Sequence, residues 1–254
     1  MSAPIDVRVL SPITTKDFRQ PSDMKALEYD GIVVSYSQID HGPASIESEY
    51  EIAMSVPGTI AKAIEAESEG VDAIVIDCMG DPGLRAVREV VSIPVLGPAE
   101  TAMHVAAMLG HRFSVVTVMR RLRAQFENEA AVYGLSTKLA SVRHVDIPVL
   151  ALEDDLVETR ARLVEQAVLA VEVDGAEAVI FGCTGLLGCA AAVREGLLAR
   201  GIDIPVVDPI PTAVAVAAAL ARVGLSQSKL TYPAPPAKEM PGYDIALPFT
   251  IAAE

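Results

Sequence analysis

A chain of 254 residues with 51% hydrophobic and 21% charged side chains has the make-up of a folded globular protein, one large domain or two compact ones. Its 34 acidic against 20 basic residues give a formal charge of −14 at pH 7, a field that repels phosphate backbones and anionic lipid, so nucleic-acid and membrane-surface roles are disfavoured. Three cysteines are too few for a disulfide framework, and no basic start followed by an apolar run marks secretion, so a cytoplasmic protein is expected.

In chain order, Val7–Leu10 is a short apolar run suited to a buried parallel strand. Ser11-Pro12-Ile13-Thr14 follows it, then a loop around His41-Gly42-Pro43-Ala44-Ser45, and Glu47, Glu49 and Glu51 mark a polar helix start. The amphipathic stretch Ile60–Glu69 predicts a helix that stops near Gly70, and Ala73–Ile76 predicts a buried strand leading into Cys78. Asp81-Pro82 reads as the next helix start, Asp as N-cap and Pro in the first turn, and a further helix is expected over Thr101–Leu109. A strand over Phe113–Val118 opens the second half. There the acidic cluster Glu153-Asp154-Asp155 precedes a helix over Thr159–Val173 that stops near Gly175, and a strand over Ala178–Phe181 leads into Cys183. The most apolar stretch, Ala213–Val223, is too short to span a membrane and is interrupted by Arg222. After Gly224 the chain is Pro-rich and irregular, suited to an arm on the body or on another subunit, and a homo-oligomer is expected.

The halves repeat one another. EGVDAIVIDCMG (69–80) aligns without gaps with DGAEAVIFGCTG (174–185), Cys78 opposite Cys183. Ile93-Pro94-Val95-Leu96-Gly97-Pro98 matches Ile204-Pro205-Val206-Val207-Asp208-Pro209, Thr101-Ala102 matches Thr212-Ala213, and Arg8-Val9-Leu10-Ser11 resembles Ser114-Val115-Val116-Thr117. Strand–helix alternation in each copy predicts an α/β protein of two pseudo-symmetric, doubly wound parallel-sheet subdomains, residues 1–111 and 112–222, with 223–254 as a C-terminal arm packing on the body. Chemistry in such sheets gathers at the carboxyl ends of strands, so the duplication predicts two thiols facing each other across a cleft between the halves.

Taken alone, each cysteine reads as a small buried hydrophobe at a strand end. Two at matched positions of a duplicated unit read as functional. A thiol on a strand-to-helix turn meets unpaired N–H groups and the positive end of a helix dipole, so lowered thiol pKa values and an oxyanion-binding loop are expected. Cys189 has Leu84 at the equivalent position and reads as packing; the cysteines and the scattered His41, His104, His111 and His144 lack zinc spacing, so no metal is expected. No GxGxxG, GxxxxGK[ST] or GxSxG segment occurs, which leaves a dinucleotide, a nucleoside triphosphate and a serine nucleophile without support.

GPASIES (Gly42–Ser48), VDAIVIDCMGDPGLRAVREV (Val71–Val90) and AEAVIFGCTG (Ala176–Gly185) resemble the hydantoin racemase family of the aspartate/glutamate racemase superfamily, over about Val7 to Val223 with motif order preserved. The resemblance implies two α/β subdomains with pseudo-two-fold symmetry, no cofactor, and Cys78 and Cys183 as the catalytic pair. The family's NPNT segment reads here Ser11-Pro12-Ile13-Thr14, without either asparagine; Asp77 stands where a small residue often precedes the first cysteine; and GCAG is GCTG, with Thr184 beside the second thiol. Ser11, Ile13, Thr14, Ser45, Met79, Gly80, Thr117, Thr184 and Gly185 are the expected substrate contacts. The expected reaction is inversion of a carbon α to a carbonyl in a small molecule, one thiolate removing the proton and the opposite thiol returning one. No Lys or Arg adjoins either cysteine motif, which favours a neutral 5-substituted hydantoin or allantoin over a dianionic amino acid. An amino-acid racemase, a decarboxylase, a cis–trans isomerase and a non-catalytic binding protein stand as alternatives.

Overall fold

Both repeats fold into a sheet of the same design. The computed structural model describes residues 3–29, 31–236, 238 and 240–243. Strands β1 (Ile5–Ser11), β2 (Ile32–Gln38), β3 (Ala73–Ile76) and β4 (Val95–Leu96) form a parallel sheet in the order β2-β1-β3-β4. Strands β5 (Phe113–Thr117), β6 (Leu139–His144), β7 (Ala178–Phe181) and β8 (Val206–Val207) repeat it as β6-β5-β7-β8. Of the four inner strands, β3, β5 and β7 are buried at every residue, which is why they read as largely apolar runs.

Around the sheets lie α1 (Pro21–Leu27), α2 (Glu49–Ser68), α3 (Leu84–Val90), α4 (Pro98–Leu109), α5 (Arg123–Val132), α6 (Leu156–Glu172), α7 (Ala190–Leu198) and α8 (Pro209–Arg222). The two long helices begin earlier than their apolar periodicity suggests, because caps extend them. Ser48 accepts the Glu51 N–H at the start of α2, and Asp155, from the acidic cluster, accepts the Glu158 N–H at the start of α6.

The Asp81-Pro82 start is corrected. Asp81 takes a left-handed φ of 42°, Gly83 is the residue before the helix with φ 74°, and α3 begins only at Leu84. The Asp81 carboxylate caps α4 instead, accepting the N–H groups of Ala99 (3.0 Å) and Glu100 (2.9 Å) together with the Tyr133 hydroxyl (2.6 Å). Gly97 makes room for it, since a Cβ there would lie 2.3 Å from the Asp81 Cγ. In the second half the aspartate stands at the matching place, Asp208, and reaches the other way to accept the Gly188 N–H at 2.8 Å.

The cores do not follow the cut at 111/112. Ala99, Ala102, Met103 and Ala106 of α4 are buried in the core built on the second sheet, whereas Ile210, Ala213, Val214, Ala217 and Ala218 of α8 are buried against the first. Each half thus lends its last helix to the other, and the alanine-rich faces let α4 and α8 pack closely against each other. Beyond α8, Gln227 pairs both ways with the main chain of Val95 at the edge strand β4, and the Lys229 ammonium donates to carbonyls of Arg88 and Val91 at the end of α3. Residues 237, 239 and 244–254 of the expected arm lie outside the described residues.

Candidate active site

Cys78 follows β3 and Cys183 follows β7, at equivalent carboxyl ends of central strands. Equivalent bonds aim both turns: the Asp77 N–H donates to Leu10 O (2.7 Å) and the Gly182 N–H to Val116 O (2.8 Å). Gly182 is required there, because a Cβ would stand 2.6 Å from the Thr117 Cβ. Both cysteines line one cavity of about 40 Å3 between the halves. Its walls are mainly apolar, with Ile13, Phe18, Ile46 and Met79 from the first half and Val118, Leu122, Phe126 and Val149 from the second.

The cation that the sequence did not place beside the thiols comes from a distant turn. Arg19 is 9% exposed and donates twice to the Asp77 carboxylate (2.7 and 2.8 Å) and once to Thr184 O (2.7 Å). The Thr184 hydroxyl donates in turn to Asp77 O at 3.1 Å, so one buried cluster ties the Cys78 turn to the Cys183 turn. No spacing signal links residue 19 to residues 77 and 184; a buried Asp77 demanding a partner was the available clue.

The expectation of lowered thiol pKa values is overturned, because burial outweighs the loop N–H groups. Burial pushes Cys183 up to about 11 against the Gly185 N–H and the charge of Arg19, which act the other way. Cys78 is pushed well above the ordinary thiol value by burial, opposed by the Gly80 N–H that donates to its Sγ (3.4 Å) and aided by Cys183, Asp81 and Glu129. Cys189 is buried as a packing residue at the start of α7.

Of the expected contacts, Ile13, Met79, Gly80 and Thr184 line the cavity with the two cysteines. Gly185 lines an adjoining cavity of about 150 Å3, separated from the first by Phe18 and Val149, which line both. The remaining four expected contacts line neither cavity. Ser11 is fully buried at the end of β1, and the Thr117 hydroxyl is spent on Gly182 O at 3.1 Å. Thr14 pins its loop to Pro43 O through both its N–H and its hydroxyl, and Ser45 lies half-buried nearby. His41 is exposed and outside the cavity. The residues missed by sequence reasoning, besides Arg19, are mostly apolar wall residues and Gln125, which read as ordinary core. Among the described residues no three of His, Cys, Asp and Glu are grouped to hold a metal ion, and no helix is long and apolar enough to cross a membrane.

Residues 7–217 match the family model described as Asp/Glu/Hydantoin racemase. The chain is 38% identical to a hydantoin racemase of Pseudomonas sp. (strain NS671) over 240 residues, 93% of this chain and 94% of the relative. It is 39% identical to a hydantoin racemase of Rhizobium meliloti over 213 residues, 84% and 86% of the two chains. An allantoin racemase structure from Klebsiella pneumoniae superimposes with a TM-score of 0.89 at 30% identity, covering 96% of this chain and 100% of that one. The chain belongs to the Asp/Glu/Hydantoin racemase family and is an isomerase of the racemase class.

Proposed function

We propose that this racemase inverts the ring carbon of a 5-substituted hydantoin-like cyclic ureide by proton transfer between Cys78 and Cys183. The observation that carries the reading is that the two thiols, from equivalent strand ends of a duplicated unit, line the same cavity. One thiolate takes the proton from the carbon, forming an S–H bond while the C–H electron pair moves to the neighbouring carbonyl as an enolate. The opposite thiol gives its proton to the other face of that carbon, and the pair ends with roles exchanged. Acceptor and donor both come from the chain, and the N–H groups of the two Cys turns suit the developing oxyanion.

Arg19 eases ionisation of Cys183 while Asp77 and Glu47 oppose it, whereas Asp81 and Glu129 oppose ionisation of Cys78. The neutral ring is favoured over an amino-acid carboxylate because the one cation at the thiols among the described residues, Arg19, is already engaged by Asp77 and Thr184. The apolar walls suit a hydrocarbon ring substituent better than the polar ureido group of allantoin. A cavity of about 40 Å3 holds a few waters and less than a substituted ring. Binding therefore parts the loops around Phe18 and Val149, beyond which the second cavity lies. Free thiols at work fit a reducing compartment, and we place the protein in the cytoplasm.

The test is proton NMR in D2O with polarimetry on enantiopure 5-substituted hydantoins and allantoin. Loss of the ring C–H signal with decay of rotation is expected, fastest for apolar substituents. Cys78→Ser and Cys183→Ser should each lose inversion, and retained racemisation in both would refute the two-thiol mechanism.

A further inference from the structure

We infer that Gln125 holds the imide edge of the ring, its side-chain carbonyl accepting the N–H between the two ring carbonyls and its amide donating to the urea carbonyl. This rests on the cyclic-ureide reading above. The chain holds a single asparagine, Asn128, which is exposed, and its glutamines are Gln20, Gln38, Gln125, Gln166 and Gln227. Among the described residues Gln125 is the one carboxamide that lines the cavity with Cys78 and Cys183.

The other polar side chains there are spent. Both Asp77 oxygens accept from Arg19, and the Thr184 hydroxyl donates to Asp77 O. The Gln125 amide is different. Its Nε2 donates to Glu129 Oε1 at 2.9 Å, one turn along α5, which uses one of two N–H groups. A carboxamide so anchored keeps a carbonyl and a second N–H side by side, the complement of a cyclic amide edge, which offers an N–H and a C=O in the same order. The amide also packs on the Cys78 turn, since a Cβ at Gly80 would lie 3.1 Å from the Gln125 Nε2, and the Gly80 N–H is the one that donates to Cys78 Sγ.

Glu129 is the matching positioning residue. Its Oε1 accepts from the Gln125 amide, and its Oε2 is buried without a hydrogen-bond partner among the described residues. With the urea carbonyl on Gln125, the carbonyl beside the reacting carbon is left to the backbone N–H groups of the Cys turns. The pairing with Gln125 is then the same in ground state and transition state, which lowers KM without raising kcat.

The experiment measures kcat and KM for enantiopure 5-benzylhydantoin and for its analogue methylated on the imide nitrogen, with the wild type and Gln125→Leu. Gln125→Leu on the parent ring, which removes both hydrogen bonds, should raise KM roughly ten- to hundredfold, and methylation on the wild type, which removes one and sets a methyl against the Gln125 carbonyl, should raise it at least about fivefold, with kcat little changed in both. Gln125→Leu should treat the two rings alike. A wild-type KM indifferent to methylation overturns the assignment without any variant having to fold, and so does a folded Gln125→Leu with the parental KM. A wild type that racemises no hydantoin removes the cyclic-ureide reading and this assignment together, an outcome distinct from an active wild type indifferent to both changes.

Discussion

Replacing Arg19 by methionine removes the charge that compensates Asp77 while keeping much of the side-chain bulk. The pair is buried on both sides, with side-chain exposures of 4% for Arg19 and 0% for Asp77, and it is bidentate. Deleting one partner of such a pair leaves an uncompensated buried charge and costs about 3–5 kcal/mol. The Thr184 carbonyl also loses its donor, which adds about 1 kcal/mol. For a chain of this length, 1 kcal/mol corresponds to roughly 2–4 °C, so the melting temperature should fall by about 8–24 °C. Differential scanning calorimetry and urea unfolding give both numbers. Removing the second charge as well, in Arg19→Met with Asp77→Leu, should recover most of the loss, since an apolar pair of similar volume can replace a buried ion pair at little cost. A single variant within about 1 kcal/mol of wild type, or a double variant no better than the single, would show that the cluster does not bridge the Cys turns as described.

Two further outcomes follow from the buried titratable groups. Alkylation of Cys183 by iodoacetamide, followed by mass spectrometry of its peptide, should keep accelerating toward about pH 11; a plateau below the ordinary thiol value of roughly 8.5 would contradict the dominance of burial. Asp208 has its Oδ1 buried without a partner among the described residues, and burial pushes its carboxyl up to about 6 against the Gly188 N–H and Arg19. Its folded pKa is thus raised, so its stabilising contribution is complete below the unfolded value near 3.8 and is lost as pH rises through about 6. Asp208→Asn should therefore gain up to about 3 kcal/mol relative to wild type between pH 4 and pH 8 in urea unfolding, and a pH-independent difference would refute the assignment.

The sequence by itself determined the architecture, for a local reason. A parallel strand covered on both faces is predominantly apolar, so Ala73–Ile76 and Ala178–Phe181, apolar throughout, and Phe113–Thr117, apolar but for Ser114 and Thr117, announce themselves, and duplication sets Cys78 and Cys183 at the same strand end twice. Caps and turns were legible only when they acted nearby. Asp155 caps its own helix, whereas Asp81, which has the local signature of a cap, serves α4 across a gap that only Gly97 permits. Tertiary structure alone decided which helix covers which sheet, because α4 and α8 carry similar alanine-rich faces and nothing local says which half they bury against. It also decided the electrostatics of the site. Arg19 reaches Asp77 and Thr184 through packing rather than spacing, and burial, a property of the assembled cavity, outweighs the turn N–H groups that pointed to acidic thiols.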